Sequence, residues 1–398
     1  MEVEVADLKA ETVRIADFFD SGRFREILKQ LDPTNIKILT TMAKLGPRNL
    51  LDVARYCGIP FTTVYHRIAQ IEAKSNQVAI LIPNVARIGM VRLVVIAASS
   101  AGEEQEVTKA LMIPNFWRVI ERCEGAFTHH TVQVVPRVLL KQFKEFVAKV
   151  AEMNMIKNYR IIMTGDSVPN FPDFSFYNTS TKEWTFDWEG WMVELNDGKL
   201  PSRTIGDPEE SVVAVDKVDL QIIENLEMNA RSNFTDIARD VQVSPQTVKH
   251  RYDSKLVPSG MVKAWQFDVV PYPRDAGAIH EVMLQFTSKE AMNKFFSLVE
   301  KLFFVISVAK VLRENAMLVR TFTLNQEVSN MFDFFSRMAR VGLVESYSAA
   351  RLHFSTRMKQ TISSELFNDQ TKEWTWNADE YLTRLKVVRD EVQSQQTW

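Results

Sequence analysis

Displaced by 184 positions, the sequence aligns with itself. Leu31 to Ile68 and Val215 to Tyr252 run together without a gap and share ten identities in 38 positions, among them Asp32/Asp216, Asn49/Asn233, Thr63/Thr247, His66/His250 and Arg67/Arg251. The pentapeptide TKEWT recurs at 181–185 and 371–375, a displacement of 190, so the second copy has gained about six residues and the repeat covers nearly the whole chain. A period this long does not suit a solenoid, and two copies are too few for a propeller. At 398 residues the chain also exceeds one hydrophobic core. Duplication of a complete two-domain unit is the simplest reading.

Each unit opens with three helical patterns. In the second, Leu220, Ile223 and Leu226 share one helical face, and Phe234, Ile237 and Val241 share another. Ser244 followed by Pro245 then reads as an N-cap and first helical residue, because a hydroxyl can take an orphan amide and proline has none to lose. Strand-like and helical runs follow in the order VRLVVIAAS, EEQEVTKALM, FWRVIER, THHTVQVV, RVLLKQFKEFVAKVAEM and NYRIIMT. That is β-α-β-β-α-β, the ferredoxin-like order, and the second unit repeats it from AIHEVMLQFT onward.

The predicted fold class is therefore α+β, with two repeats, each a winged helix-turn-helix domain followed by a ferredoxin-like βαββαβ domain. The expected boundaries are a helical extension at 1–30, a first winged helix-turn-helix at 31–84, a first ferredoxin-like domain at 85–165 and an aromatic tail at 166–195. A linker at 196–214, rich in Gly and Pro, leads to a second winged helix-turn-helix at 215–270 and a second ferredoxin-like domain at 271–360. A second aromatic tail at 361–383 and a C-terminal helix at 384–398 complete the chain.

A net charge of -2 gives no global electrostatic footprint for nucleic acid, so any such binding must come from local patches. The same charge disfavours a bulk DNA compactor, whose affinity would grow with many phosphate contacts. The two cysteines, Cys57 and Cys123, lie far apart without CxxC spacing, which implies neither a disulfide framework nor a zinc site. No apolar run reaches the roughly 20 residues needed to span a bilayer, and the acidic start does not resemble a signal peptide. A cytoplasmic protein with no membrane partner is expected.

The stretches LDPTNIKILTTM through LLDVARYCGIPFTTVYHRIAQIE, and VDKVDLQIIENLEMNARSNFTDIARDVQVSPQTVKHRY, resemble the Lrp/AsnC family of archaeal and bacterial regulators. The resemblance rests on Leu31-Asp32, Ala230-Arg231-Ser232, Ile237-Ala238, Ser244 to Arg251, and Thr63-Val64 with Arg67. It implies transcription regulation, double-stranded DNA as partner, and a homodimer or an intramolecular pseudo-dimer. Departures from the family pattern fall at Pro60, Ser75, Tyr252 and Lys255, so the two readers are expected to be unequal.

The resemblance and the helical spacing together nominate a DNA-contacting set. In the first unit it comprises Thr62, Thr63, Tyr65, His66 and Arg67; in the second, Ser244, Gln246, Thr247, Lys249, His250 and Arg251. Lysine and arginine can neutralise phosphates, glutamine can pair with adenine, and a threonine methyl can touch thymine. Solvated helices in a scaffold used for protein contact are the plainer alternative.

In the family, an effector sits by a turn between the second and third strands of the regulatory domain. Here that turn offers Gly125, Phe127 and Thr128, with the carboxylate missing. No cofactor and no metal site are expected: no nucleophile elbow, P-loop or dinucleotide fingerprint occurs, and His129-His130 point to opposite faces of a strand. Siroheme decarboxylase subunits share the two-domain fold, but their tetrapyrrole-binding motifs are not recognisable. On sequence, then, the chain reads as a regulator rather than an enzyme. The rings in and after TKEWT, namely Trp184, Phe186 and Trp188 in one copy and Trp374 and Trp376 in the other, alternate as an extended segment would place them, for packing.

Overall fold

The computed structural model describes residues 13–14, 30–75, 79–197, 200–209, 211–267 and 272–395. The N-terminal extension expected at 1–30 lies outside them, save for Gln30 and a two-residue strand, β1 (Val13–Arg14).

The first repeat opens with α1 (Pro33–Leu45), α2 (Leu50–Cys57) and α3 (Phe61–Ser75), followed by β2 (Ala79–Pro83). Asp32 caps α1 by accepting the Asn35 amide at 2.7 Å, and Gly58 ends α2 at φ 64°, where a side chain would be strained. The α+β module comprises β3 (Met90–Ser99), α4 (Glu104–Met112), β4 (Trp117–Glu124), β5 (His129–Pro136), α5 (Leu140–Glu152) and β6 (Ile156–Thr164). Beyond it lie β7 (Val168–Pro169), β8 (Tyr177–Asn178), β9 (Glu183–Trp184) and α6 (Trp188–Asp197).

The second repeat has the same order: α7 (Lys217–Met228), α8 (Phe234–Val241), α9 (Pro245–Arg251) and β10 (Val262–Phe267), then β11 (Gly277–Phe286), α10 (Lys289–Leu298), β12 (Val305–Lys310), β13 (Ala316–Leu324), α11 (Val328–Arg340) and β14 (Val344–Lys359). It closes with β15 (Phe367–Asn368), β16 (Glu373–Trp374) and α12 (Ala378–Gln395).

The two ferredoxin-like sheets join edge to edge. The strand order is β6-β3-β5-β4-β14-β11-β13-β12-β7, so the outer strand β14 of the second unit pairs with β4 of the first. At the opposite seam β7, only three residues beyond the end of β6, pairs with β12, and Thr164 bridges Val311. The ring of strands thus meets itself, removing the exposed edges that each unit would otherwise present. Every residue of β5 is buried, and so is all of β13 but its last. A strand covered on both faces loses its alternation: here the helices cover one face and the other unit's sheet covers the other.

The helix-turn-helix heads also meet. β2 and β10, each expected as part of its own domain's wing, pair antiparallel with each other, with Leu81 opposite Trp265. Arg48 of the first head donates to the Ala230 and Ser232 carbonyls of the second at 2.6 and 3.0 Å, and Arg231 reciprocates on the Pro47 carbonyl at 2.8 Å. The two repeats thus pair within one chain.

The aromatic tails correct one expectation. TKEWT is not part of a continuous extended segment but forms the second half of a tight hairpin, β8 with β9 and β15 with β16. The side-chain oxygens of Asn178 and Asn368 each accept two amides of the turn, and Lys182 and Lys372 take φ values of 62° and 58°. The rings that follow cross to the other unit. Trp184 stacks on Phe303 at 4.3 Å and Trp188 packs on Phe304, while Trp376 stacks on Phe116 of the first unit. The helices α6 and α12, each starting within the expected tail, continue this exchange. α6 joins the second unit through a bidentate Arg337–Glu189 pair, and α12 joins α4 through Lys109–Glu391 at 2.7 Å.

Candidate nucleic-acid interface and central cavity

In the second head, α9 starts at Ser244, whose hydroxyl accepts the Thr247 amide at 3.1 Å. Val248 is fully buried, so helical periodicity turns Gln246, Lys249 and His250 outward, and all three are exposed. Lys249 pairs only with Asp253 on its own solvent-facing turn. Such a pair contributes only about 0.3 to 0.5 kcal/mol and gives way readily to a phosphate.

Arg251 does not join them. Its Nη1 donates to both Asp216 carboxylate oxygens at 2.7 Å and to Asp219 Oδ1 at 2.8 Å, and the Asp219 side chain has no exposure. Against the opposing effect of burial, these bonds hold the Asp216 carboxyl below its ordinary range and raise the Arg251 guanidinium above its own. Lys255 completes the cluster on Asp219. Lys255, a departure from the family pattern, is thus answered by a buried acid.

The first head repeats the inner bond and changes the outer face. Arg67 donates to Asp32 and, at 3.3 Å, to Asn35. Arg67 and Arg251, both expected to face DNA, are engaged within the head: each holds its last helix to the cap of the first. Thr62, Tyr65 and His66 are exposed and Thr63 is half-buried. Beside them stand Leu51, Tyr56 and Phe61, exposed by 46%, 64% and 46%, and the Phe61 and Tyr65 ring centroids lie 6.2 Å apart. This face is aromatic where the second is polar and basic.

Gly125, Phe127 and Thr128, expected beside an effector, form the β4–β5 turn. The Thr128 hydroxyl is occupied by the Ser99 amide at 2.9 Å and by His129 Nδ1 at 2.8 Å, and Phe127 packs against the second unit's core. Cys57 and Cys123 are buried, and burial pushes the Cys123 thiol up to about 12. Among the described residues no group of three or more His, Cys, Asp or Glu could hold a metal ion, and no helix is long and apolar enough to cross a membrane.

Periodicity gave no sign of the charges between the two sheets. Glu121 of β4 bonds Arg320 of β13 at 2.8 Å, and Arg320 also bonds Glu281 of β11 at 2.8 Å. His130 lies between the two acids, 3.2 Å from Glu121 and 3.7 Å from Glu281. Although burial opposes ionisation, Arg320 and Arg357 hold Glu121 well below the carboxylate range. Next to this network is a cavity of about 160 Å³ bounded by both sheets and by the β2–β10 ribbon. Arg92, Arg118, Arg320, Arg357 and Lys359 reach it, and so do Asp166, Glu227 and Glu281. Arg118 pairs with Glu227 at the end of α7, tying the first sheet to the second head.

Residues 215–254 match the AsnC-type helix-turn-helix domain. No curated protein matches the sequence. Among solved structures, the siroheme decarboxylase NirDL aligns over 90% of this chain and 99% of its own, at 12% identity and TM-score 0.51. Its co-complex with an iron-uroporphyrin III analogue gives the same figures. AsnC of E. coli aligns over 34% of this chain and 91% of its own, at 18% identity and TM-score 0.26. The chain thus carries an AsnC-type helix-turn-helix domain at 215–254, on a fold that a decarboxylase shares over 90% of this chain. The sequence-based exclusion of an enzyme does not stand, because the whole two-unit architecture occurs in a decarboxylase.

Proposed function

We propose that the chain is a DNA-binding transcriptional regulator that acts as a covalent pseudo-dimer and reads an asymmetric site. The observation that supports this most is α9: an AsnC-type recognition helix whose Gln246, Lys249 and His250 are exposed on a head braced from within by Arg251. Lys249 and His250 would contact phosphates and Gln246 a base edge, with Thr247 at the helix start. The first head, with Thr62, Tyr65 and His66 outward, would read a different half-site or grip DNA weakly. Selection of bound DNA from a random pool, followed by salt titration, tests this. Lys249→Ala should weaken binding across sequences and reduce the salt slope by about 1, as one lost phosphate contact requires. Unchanged binding at low salt would remove α9 from the interface.

A second reading, a tetrapyrrole-processing enzyme, is favoured by the end-to-end likeness to NirDL and by the arginines of the central cavity. Guanidinium groups suit the carboxylates of such a substrate. The cavity's roughly 160 Å³ is nevertheless below the range of about 300 to 1,000 Å³ in which even drug-sized ligands are buried, so a tetrapyrrole does not fit it as it stands. Titration with iron uroporphyrin, followed by its visible absorbance, separates the readings: a saturable spectral shift favours the enzyme.

A further inference from the structure

We propose that a second cavity, at the seam between β6 and the β12–β13 turn, binds a small phosphate monoester that also carries a hydrogen-bond donor. Its volume is about 220 Å³. Three arginines from three separate elements line it: Arg92 on β3, Arg137 just past β5, and Arg313 in the β12–β13 turn. Among the described residues, none of the three has a carboxylate within ion-pair distance. Asp166 and Asp207 are the acids of the wall.

Two of the arginines are unusual. Arg92 is half-buried and donates to the Thr164 hydroxyl at 2.6 Å; burial pulls its guanidinium down to about 10, although Glu281 and Asp166 support the charge from a distance. A cation so placed, with a neutral hydroxyl as its contact, gains from an anion beside it. Arg313 takes a φ of 63°, a left-handed backbone that glycine adopts freely and arginine does not. The β4–β5 turn of the first repeat has Gly125 at φ 123° instead. Asp207 accepts the Arg313 amide at 3.3 Å and pairs with Lys310 at 2.6 Å, so it fixes the turn and leaves the guanidinium unanswered. Strain of this kind is kept where the side chain has a task.

Asp166 defines the other end of the ligand, as an acceptor. Its Oδ1 takes the Val85 amide at 3.3 Å, and its buried Oδ2 has no hydrogen-bond partner. Burial pushes this carboxyl up to about 6, so at pH 8 it is ionised and can only accept. A ligand suited to both ends brings an oxyanion to the arginines and a donor to Oδ2. A phosphate monoester presents three acceptor oxygens to three guanidinium groups, whereas a carboxylate presents two. Arg92 and Arg137 belong to the first unit and Arg313 to the second, so the ligand bridges a seam otherwise closed by the Thr164–Val311 bridge and the short β7–β12 pairing. The site does not depend on the regulator reading, and its test uses no DNA.

Isothermal titration of the full chain with glycerol 3-phosphate, at pH 8 and constant ionic strength, is the test. One saturable site per chain is expected, and methyl phosphate, which lacks the donor, should bind about fivefold more weakly. Arg313→Gly removes the guanidinium from a position that glycine suits, so the turn is kept, and binding should weaken about tenfold or more. Arg137→Gln should act likewise, and it decides if circular dichroism shows Arg313→Gly unfolded. Absence of saturable binding by glycerol 3-phosphate, or unchanged affinity in a folded variant, would overturn the proposal. Methyl phosphate binding equally well would overturn the role given to Asp166, and succinate binding as tightly would overturn the phosphate assignment.

Discussion

The two heads share their inner bonds and differ in what they show to solvent. Asp32 with Arg67, and Asp216 with Arg251, join cap to recognition helix at equivalent positions, while Thr62 and Tyr65 in the first head become Gln246 and Lys249 in the second. The retained set is what a three-helix head needs to close. The altered set touches nothing within the chain that the head requires. The repeated frame thus carries two unlike outer faces, and the AsnC-type match falls on the second.

The inner bonds should break unequally too. Arg251→Ala leaves the fully buried Asp219 with Lys255 as its one remaining ion-pair partner among the described residues, a loss of about 2 kcal/mol by chemical denaturation. Arg67→Ala, whose partner Asp32 is 42% exposed, should cost under about 1 kcal/mol. Equal losses would show that the heads are braced alike.

The second head carries a half-buried acid at its joint with the tail. Glu224 accepts the Ser364 amide and, at 2.9 Å, the Ser364 hydroxyl, and burial pushes its carboxyl from 4.5 to about 7. Between those values the folded chain binds more protons than the unfolded one, so this group's contribution falls as pH rises from about 4.5 to 7 and is level above. Glu224→Gln should remove a decline of about 1 to 2 kcal/mol over that window, measured by melts from pH 4.5 to 8. An unchanged profile would place the carboxyl in solvent.

Transplanting the second face should narrow the functional difference. Thr62→Gln with Tyr65→Lys is expected to strengthen binding to the selected site about fivefold, near 1 kcal/mol, in a gel-shift titration. No change would mean that the first head does not reach DNA.

The smallest effect concerns the hairpins. Lys372→Gly relieves a left-handed residue and gives up an exposed pair with Asp369, for a gain of up to about 1 kcal/mol. Lys182→Gly also loses a 3.0 Å bond to the Leu31 carbonyl, so its gain should be smaller. Paired thermal melts read the difference.

The local grammar was legible: periodicity located the helices of both heads, and the run of strands gave two ferredoxin-like modules. What joins the repeats was not, because each seam is a contact between distant segments. The alternation in β2 and β10 says that they are strands, but not that each pairs with the other copy. The tail's aromatic spacing signals packing, yet two residues apart also suits Trp184 closing a hairpin and Phe186 leading into α6. Arg67 and Arg251 followed the recognition-helix motif outward because the acids they answer lie 35 residues earlier. Glu121, His130, Glu281 and Arg320 come from four different strands, so only the closed ring shows that they meet.

The central claim, a single chain presenting two unequal readers, is tested most directly by hydroxyl-radical footprinting of the full chain on its selected site. Unequal protection of the two half-sites is expected, with the stronger one lost in Lys249→Ala/His250→Ala. A symmetric operator protected equally, and unchanged in that variant, would contradict it.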